Sequence, residues 1–86
     1  MIKIDFTTKP QPELITPKYI SNYWGDKCLL NKNGIYHSYN DLPAIVCPNG
    51  SKLWYKHGLK HRNNDLPAVI WADGTKEYWV NGKRIK

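Results

Sequence analysis

Residues 34–62 read GIYHSYNDLPAIVCPNGSKLWYKHGLKHR, and residues 58–86 read GLKHRNNDLPAVIWADGTKEYWVNGKRIK. The two stretches align at an offset of 24 residues and share the block Asn-Asp-Leu-Pro-Ala. A histidine precedes this block by three residues in both copies, and glycines recur at matching places. Internal periods of about 20–50 residues are typical of stacked supersecondary units, so the sequence predicts a repeat architecture.

Each copy of the repeat has the pattern of short strands joined by tight turns. In the first copy an apolar run at 44–47 precedes an Asn-Gly pair, whose positive φ suits a hairpin turn. A strand at 51–56 follows, then a His-Gly turn and a short return strand. The second copy repeats these features 24 residues later. The sequence therefore predicts an all-β fold in which residues 26–86 form an antiparallel meander of about eight short strands.

Residues 1–25 lie outside the repeat, and their pattern predicts a cap. Ile2, Ile4 and Phe6 alternate as in an edge strand, and two prolines within 7–12 indicate a linker. Thr16 followed by proline is typical of a helix start, which predicts a short helix near 17–24 over the open end of the sheet.

The repeat sets the expected domain organisation. Residues 26–86 form the β-repeat region, with complete units at about 34–57 and 58–81 and partial units at each end. The chain is predicted to be a single domain, because 86 residues cannot divide their core in two.

Size and charge exclude several classes of protein. The chain carries 13 Lys and Arg against 7 Asp and Glu, a net charge of +6. It is too short for a large enzyme with a deep cofactor cleft, and no apolar run approaches the ~20 residues of a membrane helix. The start does not resemble a signal peptide, and Cys28 and Cys47 lack metal or disulfide spacing. The sequence thus predicts a cytoplasmic protein without cofactor or metal.

The repeat contains the motifs Trp54-Tyr55-x-x-Gly58-x-x-His61, Leu66-Pro67-Ala68 and Asp73-Gly74-Thr75-x-x-Tyr78. These motifs resemble MORN-like repeats, which are short β-hairpin units stacked into elongated sheets. The resemblance covers about 31–86 and departs from the common form where His61 is followed by arginine instead of glycine. It implies a scaffold that binds proteins, lipids or other polymers, without an active site. The divergent core resembles repeats of viral and bacteriophage proteins, and in type the chain looks like a phage accessory or anti-defence protein.

Basic residues recur in phase with aromatic rings, which predicts a nucleic-acid surface. If 51–56 is one strand, Lys52, Trp54 and Lys56 share a face, while Leu53 and Tyr55 point to the core. Cations neutralise phosphates and rings stack on unpaired bases, so single-stranded RNA with low sequence specificity is the expected partner. The predicted nucleic-acid-binding residues are Lys52, Trp54, Lys56, Lys60, Arg62, Lys76, Tyr78 and Arg84.

Other interpretations of the same pattern stay open. The rings can be core and the lysines a solvated face that prevents edge aggregation, in which case only the charge argument remains. In biological terms, the RNA hypothesis suggests a phage-encoded inhibitor of a host defence nuclease or toxin that acts through RNA. The alternative is a protein–protein interaction module that docks a host partner or a second copy of itself through an aromatic sheet face. No membrane partner is expected.

Catalysis is not expected. His37 and His61 recur in the repeat, each followed four residues later by Asp41 or Asp65, as expected for a structural hydrogen bond to an aspartate or to backbone. A ribonuclease pair would have no reason to be copied in each unit. Phosphate-binding loops and nucleophile-elbow motifs are absent, and turns account for the glycines.

Overall fold

Ten two-residue strands make up the fold of residues 18–86, the part of the chain that the computed structural model describes. Every strand pair is antiparallel, and these residues contain no helix. The predicted all-β, antiparallel class is therefore confirmed. In chain order the strands are β1 (Ile20–Ser21), β2 (Lys27–Cys28), β3 (Ile45–Val46), β4 (Lys52–Leu53), β5 (Tyr55–Lys56), β6 (Leu59–Lys60), β7 (Val69–Ile70), β8 (Lys76–Glu77), β9 (Trp79–Val80) and β10 (Lys83–Arg84).

The strands do not form the single continuous meander that the sequence predicts. Six of them make one sheet in the order β1-β2-β3-β4-β7-β8, while β5-β6 and β9-β10 are separate hairpins. After β4 the chain leaves the sheet to form β5 and β6, then returns as β7 beside β4. Strands of the second repeat lie 24 residues after those of the first, from β3 and β7 through to β6 and β10.

The predicted strand at 51–56 is broken at Trp54. The Trp54 N–H donates to the carbonyl of Ala68 at 2.7 Å, within the run that leads into β7, while the Trp54 carbonyl accepts the N–H of His61 at 3.1 Å. Trp54 is thus the point where the backbone changes hydrogen-bonding partners, from the six-stranded sheet to the β5–β6 hairpin. We call β5–β6 and β9–β10 the second hairpins of their copies. This break shifts the alternation of side chains by one position, and Leu53 and Trp54 are both buried.

The second hairpins are joined to one another by backbone hydrogen bonds. The N–H of Gly58 donates to the carbonyl of Tyr36 at 2.8 Å, and one repeat later the N–H of Gly82 donates to Lys60 at 2.9 Å. Tyr36 also packs its ring on Tyr55, with 5.3 Å between centroids. Successive copies therefore contact each other through two rows, the six-stranded sheet and the row of second hairpins.

The helix predicted near 17–24 is wrong for residues 18–24, which form β1 and a turn. Ile20 pairs with Cys28 across the sheet, so its backbone is engaged in a non-local ladder. The Asn22 side-chain oxygen accepts the N–H groups of Trp24 and Asp26 at 3.0 and 2.9 Å and closes the turn. The predicted strand at Ile2–Phe6, the linker and the Thr16-Pro17 helix start lie outside the described residues.

The β1–β2 hairpin is a third copy of the hairpin that the sequence repeat contains twice. In all three turns a glycine N–H donates to the residue three places earlier, at 3.1 Å for Gly25, 2.9 Å for Gly50 and 2.8 Å for Gly74. The first two glycines are 25 residues apart and the last two are 24 apart. The extra residue lies in the turn between Leu30 and Tyr36, which form an isolated bridge.

The core lies on one face of the six-stranded sheet and under the Asn-Asp-Leu-Pro-Ala blocks. Leu29, Ala44, Ala68 and Val69 are all at most 1% exposed. The Asn-Asp pair that opens the first block has φ values of 54° and 60°, and the second pair has 66° and 60°. Asn and Asp are among the few residues other than glycine that tolerate this region, which explains their place in the motif.

The His57-Gly58 turn offers a direct test of local backbone preference. His57 has a φ of 49°, and the equivalent Asn81 has 51°, each followed by a glycine. Because Asn-Gly is the favoured pair in this turn, His57→Asn should raise the free energy of unfolding by about 0.5–1 kcal/mol. The reverse change, Asn81→His, should lower it by a similar amount. Urea denaturation measures both, and shifts of the same sign would contradict the argument.

The C-terminal edge of the fold carries charge where earlier copies carry apolar side chains. In the buried row of the sheet, the position of Leu53 is taken by Glu77. The Glu77 carboxylate accepts the indole N–H groups of Trp71 and Trp79 at 2.8 and 2.9 Å, and the bond from Trp71 is the main cause that lowers its pKa. Charged residues at sheet edges oppose further strand pairing.

Candidate nucleic-acid interface

The eight residues predicted to bind nucleic acid lie in three different places. Two of them project from the six-stranded sheet, three line a cleft beside the sheet, and three belong to the row of second hairpins. In that order the groups are Lys52 and Lys76; Trp54, Lys56 and Arg62; and Lys60, Tyr78 and Arg84.

Three lysines stand in register across the exposed face of the sheet. Residues paired directly across strands point to the same side, and the register runs without a gap from β1 to β8. Its members, in order, are Ser21, Lys27, Val46, Lys52, Ile70 and Lys76. We call Lys27, Lys52 and Lys76 the lysine ladder. They occupy alternate strands, so neighbouring lysines are about 9.6 Å apart at the backbone.

The surroundings of the ladder leave its charge uncompensated within the row. All three lysines are exposed, Val46 and Ile70 between them are half-buried, and no acidic residue belongs to this row. Glu77 occupies the other row of the same sheet, together with Leu53 and the buried Val69. The ladder is therefore a line of positive charge on a partly apolar strip.

Trp54 is not available for stacking on bases, and its predicted role is wrong. Its side chain is 5% exposed, and its indole N–H donates to the carbonyl of Asp41 at 2.9 Å. The guanidinium of Arg62 covers the ring at 3.9 Å from the centroid. Trp54 is a core residue because the strand breaks at this point and turns its side chain inward.

Arg62 forms several hydrogen bonds within the protein. Its Nε and Nη2 donate to the two carboxylate oxygens of Asp41 at 3.0 and 3.1 Å, and its Nη1 donates to the carbonyl of Pro67 at 3.1 Å. The hydrogen bond from Arg62 lowers the pKa of Asp41 below its ordinary value. The carboxylate of Asp41 is thus held in an ion pair with a residue 21 positions further along the chain.

The predicted residues of the second-hairpin row also contact other parts of the chain. Lys60 is half-buried, with its ammonium over the Trp79 ring at 4.6 Å. The Tyr78 ring is covered by the Lys86 ammonium at 4.9 Å, and the Nε of exposed Arg84 donates to the Lys86 carbonyl at 3.2 Å. These contacts join neighbouring copies or fix the C-terminal strand, and none of the three residues belongs to the ladder row.

Lys27 belongs to the ladder, but the sequence prediction missed it. Gly25-Asp26-Lys27 matches Gly50-Ser51-Lys52 and Gly74-Thr75-Lys76, a glycine, a polar residue and a lysine in each turn. A search at a fixed offset of 24 does not find the first triplet, because one extra residue separates it from the second. Allowing a one-residue insertion would have revealed it.

His37 and His61 serve as backbone acceptors between copies. The Nδ1 of His37 accepts the N–H of His57 at 3.0 Å, and the Nδ1 of His61 accepts the N–H of Asn81 at 2.9 Å. Of the two structural bonds expected for these histidines, the one to backbone is present. In residues 18–86 no group of three or more His, Cys, Asp or Glu is placed to hold a metal ion.

The partly buried environment of His37 predicts a pH dependence of stability. Burial lowers the pKa of His37 below 6.5, helped by the nearby charges of His57 and Lys56. The unfolded chain therefore takes up the proton first, and stability should fall as the pH drops below about 6.5. The urea midpoint at pH 5.5 should be lower than at pH 7.5, and His37→Gln should reduce the difference. An unchanged difference in His37→Gln would contradict this assignment.

A comparison of the chain with protein-family models, curated proteins and solved structures finds no match. Within residues 18–86, no helix is long and apolar enough to cross a membrane. Residues 18–86 thus form an all-β arrangement of antiparallel hairpins with a row of lysines on one sheet face.

Proposed function

We propose that this protein binds single-stranded RNA without catalysis, through the lysine ladder. The observation that carries the proposal is the alignment of Lys27, Lys52 and Lys76 on one exposed row of the sheet. A polyanion lying across the strands would meet one ammonium group every two strands. The excess of basic residues over the whole chain adds a long-range attraction for such a partner.

The spacing of the ladder suits a nucleic-acid backbone. Each nucleotide of a strand in duplex DNA advances about 3.4 Å along the helix axis, and on that rise a lysine spacing of about 9.6 Å corresponds to about three nucleotides. Four strand spacings separate Lys27 from Lys76, about 19 Å, which corresponds to roughly six nucleotides. The half-buried Val46 and Ile70 lie between the lysines and give the bases an apolar surface.

Removing the ladder charges should weaken RNA binding in a salt-dependent way. The triple variant Lys27→Gln/Lys52→Gln/Lys76→Gln loses three phosphate contacts, each contributing about 0.7 to the log–log slope with salt. The slope should fall by about 2 in magnitude, measured by fluorescence anisotropy of a labelled single-stranded RNA at 50 to 200 mM salt.

The matched control removes the same charge elsewhere. Lys18, Lys32 and Lys83 are also exposed, and none belongs to the ladder row. Their triple glutamine variant should keep most of the slope. An equal loss of slope in the two triple variants would show that only net charge matters and would contradict the ladder proposal. The absence of wild-type RNA binding at 50 mM salt would also contradict it.

The observations also favour a second candidate, a protein-interaction module, at a different surface. Because Trp54 is buried, an aromatic sheet face does not serve this role. Within residues 18–86 the most exposed rings are Tyr23 and Trp24 in the β1–β2 turn, at 92% and 75% exposure, in an edge-on contact at 5.7 Å. Such a pair is a suitable anchor for a partner chain. Salt-insensitive association that is lost in Trp24→Ala would support this candidate over RNA binding.

In the same proposal, the hairpin copies are divergent MORN-like repeats of a phage-encoded inhibitor in the host cytoplasm. The recurrence of strands at 24 residues supports the repeat part of this assignment. The inhibitor would act on a host defence nuclease or toxin by occupying a shared RNA. Growth rescue of cells that produce an RNA-targeting toxin, lost in the ladder variant, would support it. Rescue that persists in the ladder variant would reject an RNA route.

A further inference from the structure

A cleft of about 320 Å³ lies beside the second hairpin, apart from the ladder. Its volume is at the lower end of the ~300–1,000 Å³ found for small-molecule sites. None of the three ladder lysines lines it, so it is a separate feature of the surface. The lining residues are His37, Ser38, Asp41, Trp54, Lys56, His61, Arg62, Asn63 and Asn64.

Hydrogen bonds at the cleft determine which ring nitrogens are donors. Because His37 Nδ1 accepts the N–H of His57, the proton of the neutral ring sits on Nε2. His61 is fixed in the same way by the N–H of Asn81, and its Nε2 donates to Asn63 Oδ1 at 2.7 Å. The Asn63 amide is thereby oriented with its NH₂ group left to donate. Two histidines thus give the cleft one ring N–H donor and one oriented amide donor.

The charged groups of the cleft add to this donor set. Lys56 is exposed, and its ammonium group brings three further N–H donors. The one carboxylate of the lining, Asp41, accepts the Nε and Nη2 of Arg62 with its two oxygens. The ion pair leaves Lys56 as the uncompensated charge. The lining is therefore rich in hydrogen-bond donors and carries a net positive charge at neutral pH. Its one carboxylate, Asp41, is paired with Arg62.

We propose that this cleft binds a phosphate monoester group, through Lys56, His37 Nε2–H and the Asn63 amide. A monoester phosphate carries between one and two negative charges at pH 7 and three acceptor oxygens, which matches a set made almost entirely of donors. Its charge-assisted hydrogen bonds are stronger than those of a neutral ligand. The cleft can hold the phosphate together with part of the group it is attached to. The group can come from a free mononucleotide or from the end of a nucleotide chain.

The test is a titration of the full chain with adenosine monophosphate, inorganic phosphate and adenosine. Calorimetry gives the affinity, and two-dimensional NMR of the histidine rings locates the ligand. We expect both phosphate probes to bind and to shift the Nε2 resonance of His37, and adenosine alone to do neither. Lys56→Gln should weaken monophosphate binding by about tenfold or more. The matched control, Lys32→Gln, should leave it unchanged.

Several results would overturn the proposal. Equal binding of adenosine and its monophosphate would show that the phosphate is not recognised. An unmoved His37 ring, equal effects of Lys56→Gln and Lys32→Gln, or no binding of either phosphate probe at millimolar concentration would do the same. Folding of each variant is checked by circular dichroism, and Lys56→Arg keeps the charge as a second test that should restore binding.

The cleft and the ladder can be tested independently. The ladder triple variant, Lys27→Gln/Lys52→Gln/Lys76→Gln, should still bind adenosine monophosphate with wild-type affinity, whether or not RNA binding is lost. RNA carrying a 5′-phosphate is compared with the same RNA carrying a 5′-hydroxyl. A phosphate-dependent gain that is lost in Lys56→Gln identifies a strand end as the source. Equal RNA affinities, together with binding of the monophosphate, identify a free mononucleotide.

Discussion

Trp54→Ala should lower the free energy of unfolding by about 3–5 kcal/mol. The ring is 5% exposed and lies under the guanidinium of Arg62, so its removal leaves a cavity and strips one face of that cation. The Asp41 carbonyl also loses its indole donor. Small domains have a total stability of about 5–15 kcal/mol, so the variant should be largely unfolded in low urea, as measured by far-ultraviolet circular dichroism.

Two further variants separate the causes of this loss. Trp54→Phe keeps a ring in place but removes the N–H donor to Asp41. Loss of this hydrogen bond should lower the free energy of unfolding by about 1 kcal/mol, in addition to the loss caused by the smaller ring. Trp24→Ala removes a ring that is 75% exposed and should stay within about 0.5 kcal/mol of the wild type. A wild-type unfolding curve for Trp54→Ala would contradict its place in the core.

Gly58→Ala should have the second-largest effect. Gly58 has a φ of +86°, and a Cβ atom there would lie 2.9 Å from Cγ2 of Ile35. The backbone conformation costs an L-residue about 1–2 kcal/mol, and forcing Ile35 to move adds about 1–3 kcal/mol. Ile35 lies in the turn between Leu30 and Tyr36, and Gly58 lies in the turn between β5 and β6, so the contact joins two copies of the repeat. Urea denaturation should therefore show a loss of about 2–5 kcal/mol.

Gly50→Ala is the matched control for the backbone term. Gly50 has a φ of +96°, and an added Cβ would meet nothing within 4 Å. It should show only the conformational loss, so the difference between the two alanine variants isolates the contact with Ile35. Ile35→Ala in the Gly58→Ala background should recover that difference. A double-mutant cycle without coupling between residues 35 and 58 would reject the steric argument.

The local turn chemistry of the fold could be predicted from the sequence. The Asn-Gly and Asp-Gly pairs mark the turns at 49–50 and 73–74, and the glycines at 50 and 74 have the positive φ that such turns need. These pairs report on backbone preferences that act within a few residues. The strand positions on either side follow from the same local signals, although each observed strand is only two residues long.

Features that depend on distant partners could not be predicted in the same way. The helix expected near 17–24 rests on local capping preferences, whereas pairing of Ile20 with Cys28 draws this backbone into the sheet. Strict alternation along 51–56 places Trp54 beside Lys52, but the change of hydrogen-bonding partner at Trp54 moves its side chain into the core.

The candidate site was only half predictable for the same reason. Lys52 and Lys76 follow from the periodicity of the two evident copies, since equivalent residues of stacked hairpins share a face. Lys27 required recognition of a third hairpin displaced by one residue. Arg62 has the charge of a phosphate ligand, but its pairing with Asp41 depends on how successive copies stack. Charge patterns in a sequence do not reveal which cations are already paired.

The charged C-terminal edge has a consequence for how such a chain can change in length. Leu53 pairs with Val69 of the next copy and Leu59 lies against Gly82, whereas the equivalent positions of the last described copy hold the charged residues Glu77 and Lys83. The middle copy has compatible neighbours on both sides. We expect that duplication of residues 40–63 would be tolerated, adding one lysine and about 9.6 Å to the ladder. If the ladder binds RNA as we propose, the RNA site size should grow by about three nucleotides for each added copy.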